Sequence, residues 1–347
     1  MTARAPSALE ILVAGRARRA GRLRTVLLVL LAGLAAAMAL ALMLGHSFTP
    51  PAQVLRVLAG ENVPGASFAV GQLRLPRMLL AVLAGFSFGL GGVAFQIMLR
   101  NPLASPDIIG VSLGSAAAAV WGIVFLSLDG ASVSALSVAA GLAVALLIYA
   151  LSFKGGVTGS RLILVGIGVS AMINSFISYA LTQAPSWDLQ EALRWLTGSV
   201  NGARLGQSGL LALSLLVFGT LVFSRRRDLE SLRMGDDLAA ALGVRVGFTR
   251  LTVMLGAVGM IAVATATTGP IAFVAFLSGP IAARIVGPNG SILLPAMLVG
   301  GALVLGGDLV GQFALPSRYP VGVVTGALGA PFLIYLIIRA NRTGASL

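Results

Sequence analysis

Apolar residues run along this chain in long blocks divided by short polar clusters, and the block lengths set the expected architecture. Thr25 to Gly45 runs 21 residues without a charge, where a helix needs about 20 residues at 1.5 Å each to cross a hydrocarbon core of about 30 Å. The same reading gives further spans at Met78 to Leu99, Asp107 to Leu126, Val133 to Phe153, Arg161 to Leu181 and Gly209 to Phe223. It adds Leu251 to Thr267, Ile271 to Arg284, Ile292 to Val310 and Val321 to Ile338. Several of these are short, notably the one between Pro270 and Pro280, and a short span between prolines predicts half-helices. The expected fold is therefore all-α: one polytopic membrane domain over residues 1–347 with about ten transmembrane helices, several short or broken. The longest polar stretches are His46 to Leu75, Gln183 to Gln207 and Ser224 to Arg250, too short for a second soluble domain.

Composition agrees with the blocks: 57% hydrophobic residues, 10% charged and a mean hydropathy of +0.97 exclude an ordinary soluble domain. The first block is flanked by Arg16, Arg18, Arg19, Arg22 and Arg24, as a signal peptide would be. It exceeds a signal core of about 7–15 residues, so it is read as an uncleaved span. A net charge of +13 and a pI of 11.7 would suggest nucleic acid in a soluble protein. Here the positions of the charges give orientation instead. Eighteen of the 24 basic residues fall on one side: those before the first span, Arg100, Lys154, Arg161, the cluster Arg225 to Arg250, Arg284, Arg339 and Arg342. Arg56, Arg74, Arg77, Arg194, Arg204 and Arg318 fall on the other. Both termini are thereby expected in the cytoplasm, with residues 1–24 a basic cytoplasmic N-terminus. Nucleic acid is not an expected partner, and membrane lipid is.

Catalytic patterns are scarce. Gly110 to Gly114 reads GVSLG and matches G-x-S-x-G, but that motif needs a preceding strand and a histidine partner, and the sole histidine is His46. There is no cysteine, no Walker A sequence and no paired histidine; no catalytic, cofactor-binding or metal-ligating residue is expected. An ion-coupled carrier should hold ionisable groups in mid-membrane. Asp107, read as a helix cap, and Asp308, near the outer end of the ninth span, are the only acidic candidates. Energy is expected from a partner protein, with an ion-coupled secondary transporter as the alternative.

Two polar segments stand out. Arg100 to Ser115, RNPLASPDIIGVSLGS, is a turn broken twice by proline, each of which lacks an N–H and biases its predecessor away from helix. Ser224 to Arg250 contains two short helices: Gly235 breaks the segment, Asp236 and Asp237 can cap LAAAL, and Gly243 can end it in a left-handed conformation. Glycine pairs one turn apart, Gly85/Gly89, Gly110/Gly114, Gly307/Gly311 and Gly322/Gly326, predict close helix packing.

The turn, with Gln96 and the RLPR of Arg74 to Arg77 before it, resembles the permease subunits of ABC importers for iron-siderophores, haem and cobalamin. GPIAFVAFLSGPIAARIVGP (Gly269 to Pro288) and YPVGVVTGALGAPFLIYLI (Tyr319 to Ile337) are similar to two further segments of that family. The chain departs from the family at Ala275 and Gly279/Pro280/Ile281, and at Gln312, where many members carry arginine; both departures lean towards the catecholate-siderophore branch.

The resemblance implies a multi-pass permease of the cytoplasmic (inner) membrane and not an enzyme. ATP and magnesium would be bound by two cytoplasmic ATPase subunits, and no cofactor by this chain. The other implied partners are a second permease subunit and an extracytoplasmic substrate-binding protein. It places gate residues at Asn101, Leu103, Gly159 and Ser160, the last two in the loop before the fifth span. Asn174 and Ser178, one turn apart on that span, are candidates to line the pathway. ATPase coupling falls on Leu232, Gly235, Asp236, Leu238, Ala239, Leu242 and Gly243, and docking of the binding protein on Arg56, Arg74, Arg77 and Arg318. An iron-siderophore is the expected cargo, with cobalamin or haem as alternatives.

Overall fold

The computed structural model describes residues 7–152, 159–287 and 290–342. Among them there are helices and turns and no strand. Seven helices are long and apolar enough to cross a membrane, and three shorter apolar ones accompany them.

The chain opens with α1 (Ala8–Met43), then α2 (Pro51–Leu58), a π-helical segment Ser67–Arg74 and α3 (Leu75–Leu99). Next come α4 (Val111–Leu126), α5 (Gly130–Ser152), α6 (Gly159–Gln183), α7 (Ser186–Leu196) and α8 (Leu205–Ser224). Two short helices, α9 (Arg226–Leu232) and α10 (Asp236–Ala241), precede α11 (Val246–Thr268), α12 (Val274–Val286), α13 (Leu293–Phe313) and α14 (Val321–Arg342). The three shorter apolar helices are α4, α12 and α14.

α3 is the central helix. It packs on α13, α11, α12 and α8, and its Phe88, Leu90, Val93 and Phe95 are fully buried. Its crossing with α13 is backbone to backbone. A Cβ on Gly85 would lie 2.4 Å from the Gly300 carbonyl oxygen, and one on Gly89 2.4 Å from that of Ala296. Hydrocarbon supplies no hydrophobic drive between helices, so van der Waals contact at such crossings replaces it. α1, α5, α6 and α8 lie at the periphery of the chain with their apolar side chains largely exposed.

Several element boundaries correct the sequence reading. The first helix begins at Ala8, not Thr25, because Ser7 and Glu10 form a capping box and the arginine- and alanine-rich stretch continues the helix. Lys154 and the rest of 153–158 lie outside the described residues, as do 1–6. Gly159 and Ser160 stand in the first turn of α6 rather than in a loop.

The expected half-helices between Pro270 and Pro280 are not found. The break falls at Gly269–Phe273, where Phe273 is left-handed (φ 64°), and Pro280 sits inside continuous α12. Proline leaves the carbonyl four residues earlier, here Phe276, without its helical donor. Gln96 of α3 supplies one: its Nε2 donates to the Phe276 oxygen at 2.9 Å, in a buried setting.

Candidate functional site

The turn at 100–115 is built from local hydrogen bonds. Arg100 is left-handed (φ 50°, ψ 35°) and ends α3, with its N–H on the Ile97 carbonyl and the Asn101 N–H on that of Gln96; this is the paired C-terminal arrangement of a Schellman motif. Asn101 then accepts the Leu103 N–H through Oδ1 at 2.8 Å and the Ala104 N–H through its carbonyl at 3.0 Å. Pro102 presets the first central position of that turn. Asn101 and Leu103 are half-buried.

Asp107 does not cap α4. Ser105 caps the short 3-10 turn Pro106–Ile109 by accepting the Asp107 N–H, and Gly110 (φ 71°) opens α4 without any side-chain cap. The Asp107 carboxylate instead accepts the Ser105 hydroxyl at 3.2 Å and the Ser112 hydroxyl at 2.5 Å. The helix starts four residues later than expected because Gly110 is left-handed. The 3-10 turn packs on α6, so the proline-broken segment leans on the helix that carries Ser160, Asn174 and Ser178. Asn174 and Ser178 are exposed on α6.

At the same end lies the 224–250 segment. A Cβ on Gly235 would sit 3.4 Å from Nη1 of Arg100, and α9 packs against α3. Leu229, Leu232 and Ala239 point inward and are buried, whereas Met234, Leu238 and Leu242 are 55%, 58% and 65% exposed. Two helices therefore hold an outward apolar patch on a fixed base. Asp236 and Asp237 stand in the first turn of α10 and Gly235 (φ 115°) is the cap, correcting the expected aspartate caps. Asp236 is engaged elsewhere, receiving Nη2 of Arg250 at 2.8 and 3.0 Å. Asp228 similarly receives the Thr249 hydroxyl at 3.0 Å. Gly243 (φ 86°) ends α10 in the left-handed region, as its sequence position suggests.

The opposite end holds the arginines. Arg77 clamps Asp308 through Nε (2.9 Å) and Nη2 (2.8 Å), and Nη1 donates to Oδ1 of Asn201 at 2.9 Å. Gln312 donates to the same aspartate at 2.7 Å. The Asp308 side chain is 4% exposed and that of Arg77 22%, so the two-pronged pair bolts α3 to α13. Arg74 donates to the Leu42, Met43 and Ser47 carbonyls and to the Thr49 hydroxyl, all at 2.9–3.0 Å. It closes the C-terminal end of α1, whose last carbonyls have no helical donors. Arg56 pairs with Glu61 at 2.6 Å, and Arg318 meets Nε2 of His46 at 2.9 Å; both arginines are exposed.

The four arginines share one end, yet each already has a partner. The sequence reading missed the Arg77–Asp308 pair, though its signal was present: a buried aspartate at a span end requires a counter-charge. It also gave no hint of Arg74 as a helix-end clamp, since its acceptors are main-chain atoms that any sequence provides. Among the described residues no cluster of three or more metal-ligating side chains occurs.

Comparison with known proteins places this geometry. The FecCD transport family profile matches residues 28–339. The achromobactin transport system permease protein CbrC of Dickeya dadantii (strain 3937) is 39% identical over 327 residues, covering 93% of this chain and 92% of that one. The ferric enterobactin transport system permease protein FepG of Escherichia coli (strain K12) is 38% identical over 294 residues, covering 84% and 88%. A solved inward-facing conformation of a putative metal-chelate type ABC transporter superposes with a TM-score of 0.82 at 26% identity. That match covers 91% of this chain and 99% of the other.

Proposed function

This chain belongs to the FecCD transport family, and from that membership we propose that it is the membrane subunit through which an ATP-driven importer moves a ferric siderophore inward. The helices are read as ten spans in the inner membrane, with both termini and the 224–250 segment in the cytoplasm. A second permease subunit, two cytoplasmic ATPases that carry ATP and magnesium, and an extracytoplasmic binding protein complete the machine. The relatives named for achromobactin and ferric enterobactin support a siderophore as cargo.

The observation that carries this reading is the junction at Arg100 and Gly235. There the proline-broken turn and the segment with exposed Leu238 and Leu242 share one end of the central helix α3. A partner that grips the outward leucines pushes on α9, α9 pushes on α3, and the turn at Asn101 and Leu103 sits at the end of that lever. Leu232 and Ala239, being buried, transmit force rather than contact the partner. Ser160, Asn174 and Ser178 lie along the neighbouring helix as candidate pathway residues, with Gly159 at its start. At the outer end Arg56 and Arg318, both exposed, are the candidates to meet acidic groups of a binding protein. Arg74 and Arg77 serve that surface by fixing its shape. Rim charges of this kind contribute about 0.2–1 kcal/mol each and act mainly on encounter rate.

Because the chain has no cysteine, single-cysteine variants give a clean test. Leu242→Cys in membranes containing the cognate ATPase should cross-link to it with a short bismaleimide, while Glu61→Cys should not. Cross-linking from Glu61→Cys alone would reject the assignment of the 224–250 segment.

A further inference from the structure

At the end that carries Arg77, a cavity of about 670 Å³ lies under α7, with Thr267 and Thr268 of α11 as its floor and Ser134 of α5 on one wall. Trp187, Arg194 and Trp195 of α7 line its rim, and Trp187 is 81% exposed. A second cavity of about 500 Å³ runs from it deeper between α5 and α8, sharing Gly130, Ser134, Gly202, Gln207, Ala266 and Thr267. The deeper part is apolar, walled by Ala131, Ala135 and Val138 of α5, Leu210 of α8 and Val263 of α11, with Arg204 at its top. From Thr268 to Val263 the α11 floor descends about 7.5 Å at 1.5 Å per residue.

The guanidinium groups of Arg194 and Arg204 make no hydrogen bond or ion pair with the described residues. Glu191, one turn before Arg194, also lines the upper cavity without pairing with it, which leaves the pair of cavities with one net positive charge. Ala131, Ala135 and Leu210 are exposed, so the lower cavity opens on the outward surfaces of α5 and α8, where Leu147 and Leu213 are exposed too. Cations and indoles above an apolar slot open to hydrocarbon are what a lipid presents in mirror image: phosphate above, acyl chain below. A soluble anion would fill only the upper half.

We propose that Arg194 and Arg204 hold the phosphate of an anionic phospholipid whose acyl chain lies in the slot between α5 and α8. The assignment to the outer leaflet rests on the orientation proposed above; the site itself does not.

The test uses the full chain carrying Trp121→Phe, so that of three tryptophans only the two lining the cavity remain. In phosphatidylcholine vesicles doped with brominated lipid, brominated phosphatidylglycerol should quench their fluorescence at least twofold more than brominated phosphatidylcholine at equal mole fraction. Arg194→Gln with Arg204→Gln should bring quenching down to the phosphatidylcholine level. Should that variant not fold, Ala135→Phe, which fills the slot and leaves both arginines, should remove the surplus instead. Equal quenching by the two lipids, or a surplus that survives both the arginine and the Ala135 changes, overturns the proposal. So does a surplus abolished by millimolar inorganic phosphate, which would assign the arginines to a soluble anion. Vesicle quenching reads lipid in either leaflet and needs no transport, so failure of the importer reading leaves this result standing.

Discussion

Asp308 illustrates what one residue reveals and hides. An aspartate at the end of an apolar block is visible in the sequence; its partner Arg77, 231 positions away, is not. Once paired, the two charges bolt α3 to α13, and removing one strands the other in a mostly buried place. Truncating one partner of such a pair costs about 3–5 kcal/mol; with Arg77 22% exposed, the lower end applies. Asp308→Ala should therefore lower the unfolding temperature of the purified protein by several degrees. Arg77→Ala combined with Asp308→Ala should lower it by less than the sum of the single changes. Additive losses in a thermal-shift experiment would mean that the pair contributes nothing as a pair. Arg74 was legible as a cation at a span mouth, but its role as a clamp depends on where α1 ends, and only the fold fixes that.

Elements were legible wherever block length alone decides, and illegible where backbone chirality does. Each of the ten apolar blocks carries a helix over most of its described residues, because a long apolar block leaves the backbone no satisfied alternative in hydrocarbon. Their ends moved because Gly110 and Phe273 turn left-handed, and composition does not announce a left-handed phenylalanine. The survival of α12 through Pro280 depends on Gln96 donating to the Phe276 carbonyl. This also explains the glycine before the proline: a Cβ on Gly279 would fall 1.8 Å from Oε1 of Gln96. Gln96→Leu should leave that buried carbonyl unsatisfied at a cost of about 1–3 kcal/mol. Adding Pro280→Ala, which restores a backbone donor, should recover part of the loss in the same melting experiment. A double variant no more stable than Gln96→Leu would contradict this account of the helix.

For the whole molecule, the fold separates two ends with different chemistry: at one, a rim of partnered arginines beside a cationic cavity, and at the other, a junction of the turn with the leucine patch. The sequence shows both charge groups but not that Arg100 touches the Gly235 region, which is a property of helix packing. Orientation follows as a prediction. Glu61→Cys should react with a membrane-impermeant maleimide on spheroplasts, and Met234→Cys only after permeabilisation; the reverse pattern would invert the topology.

The central claim is that an ATPase gripping Leu238 and Leu242 drives a ferric siderophore through this chain, and the direct test is uptake. Proteoliposomes holding the permease with its cognate ATPase, supplied with binding protein and radiolabelled ferric catecholate siderophore, should accumulate iron only with ATP inside the compartment facing the ATPase. Leu238→Glu with Leu242→Glu should abolish uptake while the permease itself stays folded. Uptake that follows a proton or sodium gradient without ATPase, or ATP-driven uptake indifferent to those two changes, would contradict it.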